Sequence, residues 1–259
     1  MVMLTAIVFI TDAFVYSYIP LKIAQTVIVV YLCWRWRRLV PELTWRFHWL
    51  SLVTGVGLVI GWIALHWFFA GVFAEHWRAL LDGRLREVVL HDPGAHYADE
   101  LGPVMKWSAR SRKLLGMTIA VPMIEEVFNR SLLLRSLHRP RETWIGLMQF
   151  LIDTPLLGEK LIVTRFGQRI SDHPPVFGRE FQRTSLGELS VFGVAASTIV
   201  FAAVHAPVDW PGCILCGLVW CLLLRATRDK GLGPVIWSHA ITNALLWLYV
   251  VTIGDWRFI

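Results

Sequence analysis

The chain is divided into long apolar blocks by shorter polar segments, and the lengths of these blocks predict membrane-spanning helices. Residues 50–74 contain no Asp, Glu, Lys or Arg. A helix needs about 20 mostly apolar residues to cross a hydrocarbon core of about 30 Å, so this block is a predicted span. Further predicted spans are residues 2–19 (interrupted by Asp12), 20–36, 114–134, 189–205, 211–224 and 235–254. The pattern predicts an all-α fold, a polytopic transmembrane helical bundle of about 6–8 helices.

Three polar or mixed regions separate these blocks. Residues 75–113 include WRALLDGRLREVVL, whose apolar positions recur at helical spacing between arginines, a pattern typical of an amphipathic helix lying in the membrane interface. Residues 158–188 carry many basic side chains and a proline pair, which indicates an extramembrane loop long enough to contact a substrate. Residues 141–155 fit either a short span or a flat interfacial helix. The flat arrangement is favoured because it places the basic clusters on one side of the membrane.

Composition agrees with a membrane protein and gives the positive charge a membrane role. Hydrophobic residues make up 56% of the 259 positions and charged residues only 17%, as in multi-spanning proteins. The net charge of +6 comes from clusters beside the apolar blocks, where positive residues orient helices in a bilayer. No nucleic-acid partner is therefore predicted. Because there is no internal repeat and no low-complexity linker, residues 1–259 are predicted to form a single membrane domain.

Charged side chains interrupt one predicted span at a cost that usually signals function. An ionisable residue at the centre of a membrane helix costs about 2.5–3.5 kcal/mol on insertion scales. Glu126 and Arg130 are four positions apart with the acid first, the favourable order for a helical ion pair. Glu125 lies about 100° around the helix and is predicted to remain unpaired. Pro122, one turn earlier, can kink the helix and expose backbone groups near the acids.

Two later spans supply histidines at helical spacing from an aromatic or an amide side chain. Phe201 precedes His205 by four positions, and His239 precedes Asn243 by four, so each pair shares one helix face. Either pair alone fits a structural role, such as a hydrogen bond between helices. Together with a free glutamate, they provide the groups needed to activate water and to stabilise an oxyanion.

The three motifs, in this order on apolar helices, resemble those of the CPBP family, which comprises the CAAX-processing endopeptidases and bacterial relatives in bacteriocin processing and self-immunity. The motifs are Glu125-Glu126-x-x-x-Arg130, Phe201-x-x-x-His205 and His239-x-x-x-Asn243. The similarity covers residues 114–254. The segments VHAPVDWPG and GPVIWSHAITNALLWLYVVTIGDWRF further resemble the CAAX-protease-related branch that accompanies bacterial exosortase (PEP-CTERM) sorting systems. Asn129 and Ser131 depart from the aromatic residue and the glycine that the family usually has beside the arginine.

This resemblance implies a glutamic-type intramembrane endopeptidase with its catalytic core in residues 114–254. The implied roles are general base on a water for Glu125, water holding for His205, oxyanion stabilisation for His239 and Asn243, and support of the site for Glu126, Arg130 and Phe201. The implied substrate is a membrane-associated protein or peptide, cut near its C-terminus without a cofactor. The implied setting is a bacterial inner membrane, with the lipid bilayer around the chain and an exosortase-type sorting system as partner.

Two alternatives remain open on the residues alone. Glu125, His205 and His239 are also a plausible zinc-binding set, although HExxH spacing is missing and no carboxylate or carbonyl partner for either histidine can be identified in the sequence. Alternatively, a non-cleaving membrane partner, such as an immunity or sorting-accessory protein, could bind a peptide segment in the same polar cavity. A small-solute transporter is disfavoured by the lack of an inverted repeat.

Overall fold

A computed structural model describes residues 15–35, 37–91, 103–155 and 157–254. Within these ranges the chain is helical apart from turns and connections and contains no β-strand, so the predicted all-α fold is confirmed. In chain order its helices, apart from short 3₁₀ turns, are α1 (Val15–Arg35), α2 (Trp49–Val72), α3 (Ala74–His91), α4 (103–136), α5 (Pro140–Ile152), α6 (Leu157–Ile162), α7 (Arg165–Ser171), α8 (Val176–Arg183), α9 (Val191–Ala203), α10 (Trp210–Ala226) and α11 (Gly233–Ile253). Most of the predicted span at residues 2–19 lies outside the described residues.

Three of these helices are long and apolar enough to cross a membrane. They are α2, α10 together with the 3₁₀ turn before it, and α11, while shorter apolar stretches lie in α1 and α9. Large apolar side chains of α2, such as Ile60 and Trp67, are exposed on its outer face. An apolar surface of this extent is typical of contact with a membrane, so the chain is an integral membrane protein.

Helix α4 carries the acidic motif and changes its hydrogen-bond register twice. Gly116–Ala120 and Val127–Leu133 are π-helical turns on either side of the α-helical segment Val121–Glu126. Pro122 follows the first π-helical turn and has no backbone N–H to donate. Such turns occur frequently at functional sites, and here they flank both glutamates.

Helix α9 ends earlier than the predicted span. Its last residue is Ala203, so His205 lies in the turn towards α10 and not on the helix, and the expectation of a helical His205 is wrong. Its backbone N–H still donates to Ala202 O at 3.0 Å. The reason for the early end is Pro207, which forces the preceding Ala206 into an extended conformation.

The packing of α2 against α11 depends on a residue without a side chain. A Cβ atom on Gly55 would lie 2.8 Å from Ile241 Cβ and 3.0 Å from the backbone oxygen of Ser238. The hydroxyl of Thr242 donates to the backbone oxygen of Gly55 at 3.2 Å. Close approach at small residues is typical of helices that associate in a membrane. Here it allows α11 to pack closely against α2.

The region predicted as an extramembrane loop at 158–188 is largely helical, so the prediction of a loop is wrong. Helices α6, α7 and α8 pack against α5, and we call residues 157–184 the cap. Gln149 of α5 donates to the backbone oxygen of His173 at 2.7 Å, and Glu142 forms an ion pair with Arg179. Thr164 caps α7 through Gly167 N–H at 3.0 Å. These helices have at most eight residues, too short for periodicity to distinguish them from a loop.

Candidate active site

One cavity of about 280 Å³ lies between α2, α4, α9, α10 and α11. The four residues with predicted catalytic roles, together with Phe201, all line it: Glu125, His205, His239, Asn243 and Phe201. Its remaining walls are mostly apolar. The cavity therefore brings together side chains from three separate sequence motifs.

The two adjacent glutamates have different surroundings. Glu126 and Arg130 are both fully buried, and Arg130 Nε lies 3.4 Å from Glu126 Oε2. Glu125 lines the cavity with a side chain that is 26% exposed, and its Oε2 lies 3.8 Å from His239 Nε2. Glu125 Oε2 accepts no hydrogen bond within the described residues. The sequence predicted an unpaired Glu125, but the carboxylate is not isolated. It faces the imidazole of His239 at a distance too long for a direct hydrogen bond.

His239 connects both glutamates. Its Nδ1 lies 2.8 Å from Glu126 Oε1, so the neighbour predicted to pair only with Arg130 also binds this ring. A carboxylate can only accept, so Nδ1 is the donor when Glu126 is ionised. The indole of Trp220 stacks on the imidazole with ring centroids 4.1 Å apart. The ring is therefore fixed by a hydrogen bond at its edge and by an aromatic surface on its face.

His205 is fixed by its own motif. Its Nδ1 lies 2.7 Å from the backbone oxygen of Phe201, and the two rings are 4.8 Å apart. Because a carbonyl oxygen only accepts, Nδ1 carries the hydrogen, and the neutral ring then has an acceptor lone pair at Nε2. The aromatic residue four positions earlier thus orients the histidine through its backbone as well as its ring.

Asn243 fills a hydrogen-bond position that Pro122 leaves open. In the π-helical turn, Val121 N–H bonds to Gly116 O, and in that register Met117 O would receive the next N–H, from Pro122, which has none. Asn243 Nδ2 instead donates to Met117 O at 2.9 Å. An amide nitrogen has two hydrogens, so one remains for the cavity.

The guanidinium of Arg130 lies between carboxylate and aromatic groups. Its Cζ is 5.4 Å from the ring centroid of Phe201 and 5.7 Å from that of Trp220. None of its nitrogens makes a hydrogen bond within the described residues, so the Glu126 carboxylate and two ring faces compensate its charge. The same aromatic residues therefore contact both Arg130 and the two histidines.

Comparison with known protein families shows which family has this arrangement of motifs. Residues 108–245, more than half of the chain, match the family described as type II CAAX prenyl endopeptidase Rce1-like. The chain belongs to this family. Neither a comparison with curated proteins nor one with solved structures gives a match. The matched residues include all three motifs, which confirms the resemblance to the CPBP endopeptidases and identifies the chain as a membrane protease of the CAAX endopeptidase type.

Several cavity residues of this Rce1-like protease were missed by the sequence analysis. Trp220 was counted only as an apolar position of a span, although tryptophan is enriched at membrane interfaces and a buried one in the middle of a span is unusual. Lys113 and Asp209 line the same cavity at other points of its wall. Lys113 ends the region predicted to contain an interfacial helix, Asp209 lies between two predicted spans, and no spacing relates them to the motifs.

The arrangement also bears on the zinc alternative. The prediction that the histidines lack carboxylate or carbonyl partners is wrong, because Phe201 O and Glu126 Oε1 hold the two rings at Nδ1. Metal-ligating histidines are held by hydrogen bonds of the same kind. Among the described residues, no group of three or more His, Cys, Asp or Glu side chains is arranged to hold a metal ion.

Proposed function

We propose that the chain is a glutamic-type intramembrane endopeptidase that hydrolyses a peptide bond near the C-terminus of a membrane-associated protein or peptide. The observation that carries this proposal is the single cavity that Glu125, His205, His239 and Asn243 share. It offers a carboxylate, two imidazoles and an amide around one space that suits a water and a carbonyl group.

Glu125 is the general base. A water in the cavity gives a proton to the Glu125 carboxylate, and the resulting hydroxide adds to the carbonyl carbon of the scissile bond. The tetrahedral intermediate then collapses by breaking the C–N bond, while the protonated Glu125 returns the proton to the departing amine. Support comes from the position of Glu125, whose side chain lines the cavity and is 26% exposed.

His205 holds the water that Glu125 activates. Its Nδ1–H bond to Phe201 O leaves Nε2 as an acceptor for a water hydrogen. Water bound between Nε2 and the carboxylate is oriented before the substrate arrives, which lowers the entropic cost of the addition step.

His239 and Asn243 stabilise the oxyanion. Asn243 has a second N–H beyond the one given to Met117, and His239 can donate from Nε2 when both ring nitrogens carry hydrogen. Glu126 accepts the Nδ1 hydrogen at 2.8 Å and so fixes the orientation of the ring towards the cavity. Fixed donors of this kind stabilise the charge that develops on the carbonyl oxygen, and removing one typically costs about 10²–10³ in kcat.

The family and the narrower sequence resemblance support our proposal for the substrate. Rce1-like proteins are described as prenyl endopeptidases acting on CAAX sequences, whereas the VHAPVDWPG segment and the C-terminal tail resemble the exosortase-associated branch. We place the chain in that branch, in a bacterial inner membrane, and infer an unprenylated substrate tail. The single membrane domain holds the catalytic core of residues 114–254.

The proposal can be tested with the purified chain in liposomes and two quenched fluorogenic peptides. Both peptides carry the same CAAX-type C-terminal sequence, and only one is prenylated. We expect cleavage of the unprenylated peptide by the wild type, no cleavage by Glu125→Gln, and no effect of the chelator 1,10-phenanthroline. An unchanged rate in Glu125→Gln would contradict the glutamic mechanism, and inhibition by the chelator with recovery on adding zinc would favour the metal alternative.

A stable wild type that binds both peptides and cleaves neither would favour the non-cleaving membrane partner. Preference for the prenylated peptide would instead place the chain outside the exosortase branch. Genes beside the coding sequence provide an independent check, because a neighbouring sorting enzyme is expected only for that branch.

A further inference from the structure

The segment between α1 and α2 contacts both helices that carry the acidic and the His239 motifs. We call residues 40–48 the strap. The strap lies outside residues 108–245, the part of the chain that matches the family. The family match therefore assigns no role to the strap, whereas its contacts indicate one.

The backbone of the strap is bonded to the segment that begins α11. Glu42 O accepts from Leu232 N–H at 2.8 Å. Thr44 Oγ1 donates to Lys230 O at 2.5 Å and accepts from Gly233 N–H at 3.2 Å. These bonds fix the first turn of α11, which carries His239 six residues after Gly233.

Two glycines make this close contact possible. A Cβ atom on Gly233 would lie 2.5 Å from Arg46 O, and one on Gly231 would lie 2.6 Å from Glu42 O. Gly231 also has a positive φ of 69°, which side-chain-bearing residues rarely adopt. The backbones of the strap and of the α11 start are thus closer than any larger residue allows.

The side chain of Glu42 points to the other catalytic helix. Its Oε1 accepts hydrogen bonds from the hydroxyl of Ser131 and from Arg135 Nη1, the latter at 3.0 Å. The Glu42 and Arg135 side chains are only 14% and 15% exposed. Charge-assisted hydrogen bonds of this kind are stronger than neutral ones. Ser131 and Arg135 follow Glu126 by about one and two and a half turns of α4, respectively.

The same arginine connects α4 to the cap. Arg135 Nε donates to Thr184 O at 2.8 Å, and its Cζ lies 3.9 Å from the ring centroid of Phe181. Glu42 therefore sits at the junction of three parts of the molecule: α4 with Glu125, α11 with His239, and the cap.

We propose that Glu42 is a positioning residue of the active site: its backbone fixes α11 and its carboxylate fixes α4, so that it sets the distance between Glu125 and His239. The proposal rests on the proposed function for its kinetic part. Misplacing reacting groups by about 1 Å can cost on the order of 100-fold in rate. A small shift between two helices is therefore enough to reduce catalysis.

The test compares Glu42→Gln with Glu159→Gln, an exposed glutamate of the cap, in the liposome assay. The glutamine retains the backbone bond to Leu232 and an oxygen for Ser131, but loses the charge that Arg135 binds. We expect a decrease in kcat of about 10-fold to 100-fold at an unchanged KM, measured well below the unfolding midpoint, which the loss of the mostly buried ion pair lowers. We expect Glu42→Asp to recover part of the rate and Glu159→Gln to behave as wild type.

A second measurement does not need activity. Spin labels on Leu132→Cys of α4 and Leu248→Cys of α11, both at exposed positions, report the separation of the two helices by pulsed electron paramagnetic resonance. The background carries Cys33→Ser, because Cys33 is only half-buried. We expect Glu42→Gln to broaden or shift the distance distribution, and Glu159→Gln to leave it unchanged.

The two measurements separate the two proposals. An inactive wild type, or one whose rate is unaffected by Glu125→Gln, would overturn the protease mechanism while the label distances still test Glu42. A wild type that depends on Glu125, combined with an unchanged rate and an unchanged distance distribution in Glu42→Gln, would overturn the positioning role. A kcat decrease that disappears at temperatures well below the unfolding midpoint of the variant would also overturn the positioning role.

Discussion

Glu126 accepts a hydrogen bond from Nδ1 of His239 at 2.8 Å, although the two residues are 113 positions apart in the chain. The pair connects α4 to α11 in the buried interior of the bundle. It also gives Glu126 two partners, because the same carboxylate lies 3.4 Å from Arg130 Nε. The carboxylate of Glu126 therefore affects stability through Arg130 and activity through His239. Substitutions can separate these two effects.

Glu126→Gln is expected to reduce both stability and activity. Removing one partner of a buried ion pair typically costs about 3–5 kcal/mol, because the other charge remains buried. Adding Arg130→Met removes that charge and is expected to recover most of the unfolding midpoint, but not the rate, since the acceptor for His239 stays altered. Thermal unfolding in detergent and the peptide assay measure the two effects. Recovery of the full rate in the double variant would show that Glu126 serves only to neutralise Arg130.

Glu125→Gln is expected to act on catalysis alone. Loss of a positioned general base typically lowers the rate about 10²–10⁴-fold. The side chain is partly exposed to the cavity and makes no hydrogen bond through Oε2, so the unfolding midpoint should change little. Glu159→Gln on the cap surface is the matched control. A midpoint decrease as large as that of Glu126→Gln would contradict the assignment of separate tasks to the two glutamates.

Trp220 is expected to matter through its ring more than through its N–H. Its indole stacks on His239 at 4.1 Å, and its Nε1 donates to Ser238 Oγ at 3.1 Å. Trp220→Phe keeps an aromatic face and should lose about 1 kcal/mol for the hydrogen bond. Trp220→Ala leaves a cavity and should cost about 3–5 kcal/mol together with most of the activity. Equal rates in the two variants, measured in the peptide assay, would show that stacking on His239 is not required.

Gly55 and Gly57 offer a matched pair two residues apart on α2. A Cβ atom at position 55 would lie 2.8 Å from Ile241 Cβ, whereas nothing lies within 4 Å of one at position 57. We expect Gly55→Ala to push α11 outwards and to lower both the unfolding midpoint and the rate. Gly57→Ala should be neutral or stabilising, because alanine exceeds glycine in helix propensity by about 1 kcal/mol. Indistinguishable midpoints would contradict the close packing of α2 on α11.

The motifs could be predicted from the sequence because their partners lie within one or two helical turns. Glu126 with Arg130 and Phe201 with His205 are pairs of this kind, and both are in contact in the structure. Contacts that depend on tertiary packing could not be predicted: the bond from His239 to Glu126, the stacking of Trp220 and the junction at Glu42 all join distant segments. The roles assigned to Glu125, His205, His239 and Asn243 stay predictions until the variants are assayed.

Asn243→Ala is expected to affect the backbone of α4 as well as the oxyanion. It leaves the part-buried Met117 O without its donor, and an unsatisfied carbonyl shielded from water costs about 1–3 kcal/mol. Pro122→Ala supplies a backbone N–H that can bond to that oxygen. The double variant should therefore recover the unfolding midpoint of Asn243→Ala, but not its rate. No recovery of the midpoint would show that the proline does not create the open acceptor.

The open carbonyl at Met117 has a consequence for how this protein can diverge. Pro122 in one helix leaves open an acceptor that the Asn243 amide of another helix fills. Positions 122 and 243 are therefore linked through a third residue, Met117, whose side chain takes no part. Among related sequences, asparagine at 243 would then be retained partly to satisfy the backbone, and drift at 122 would relax that requirement. Positions 122 and 243 would therefore covary among related sequences, although the two residues form no hydrogen bond with each other.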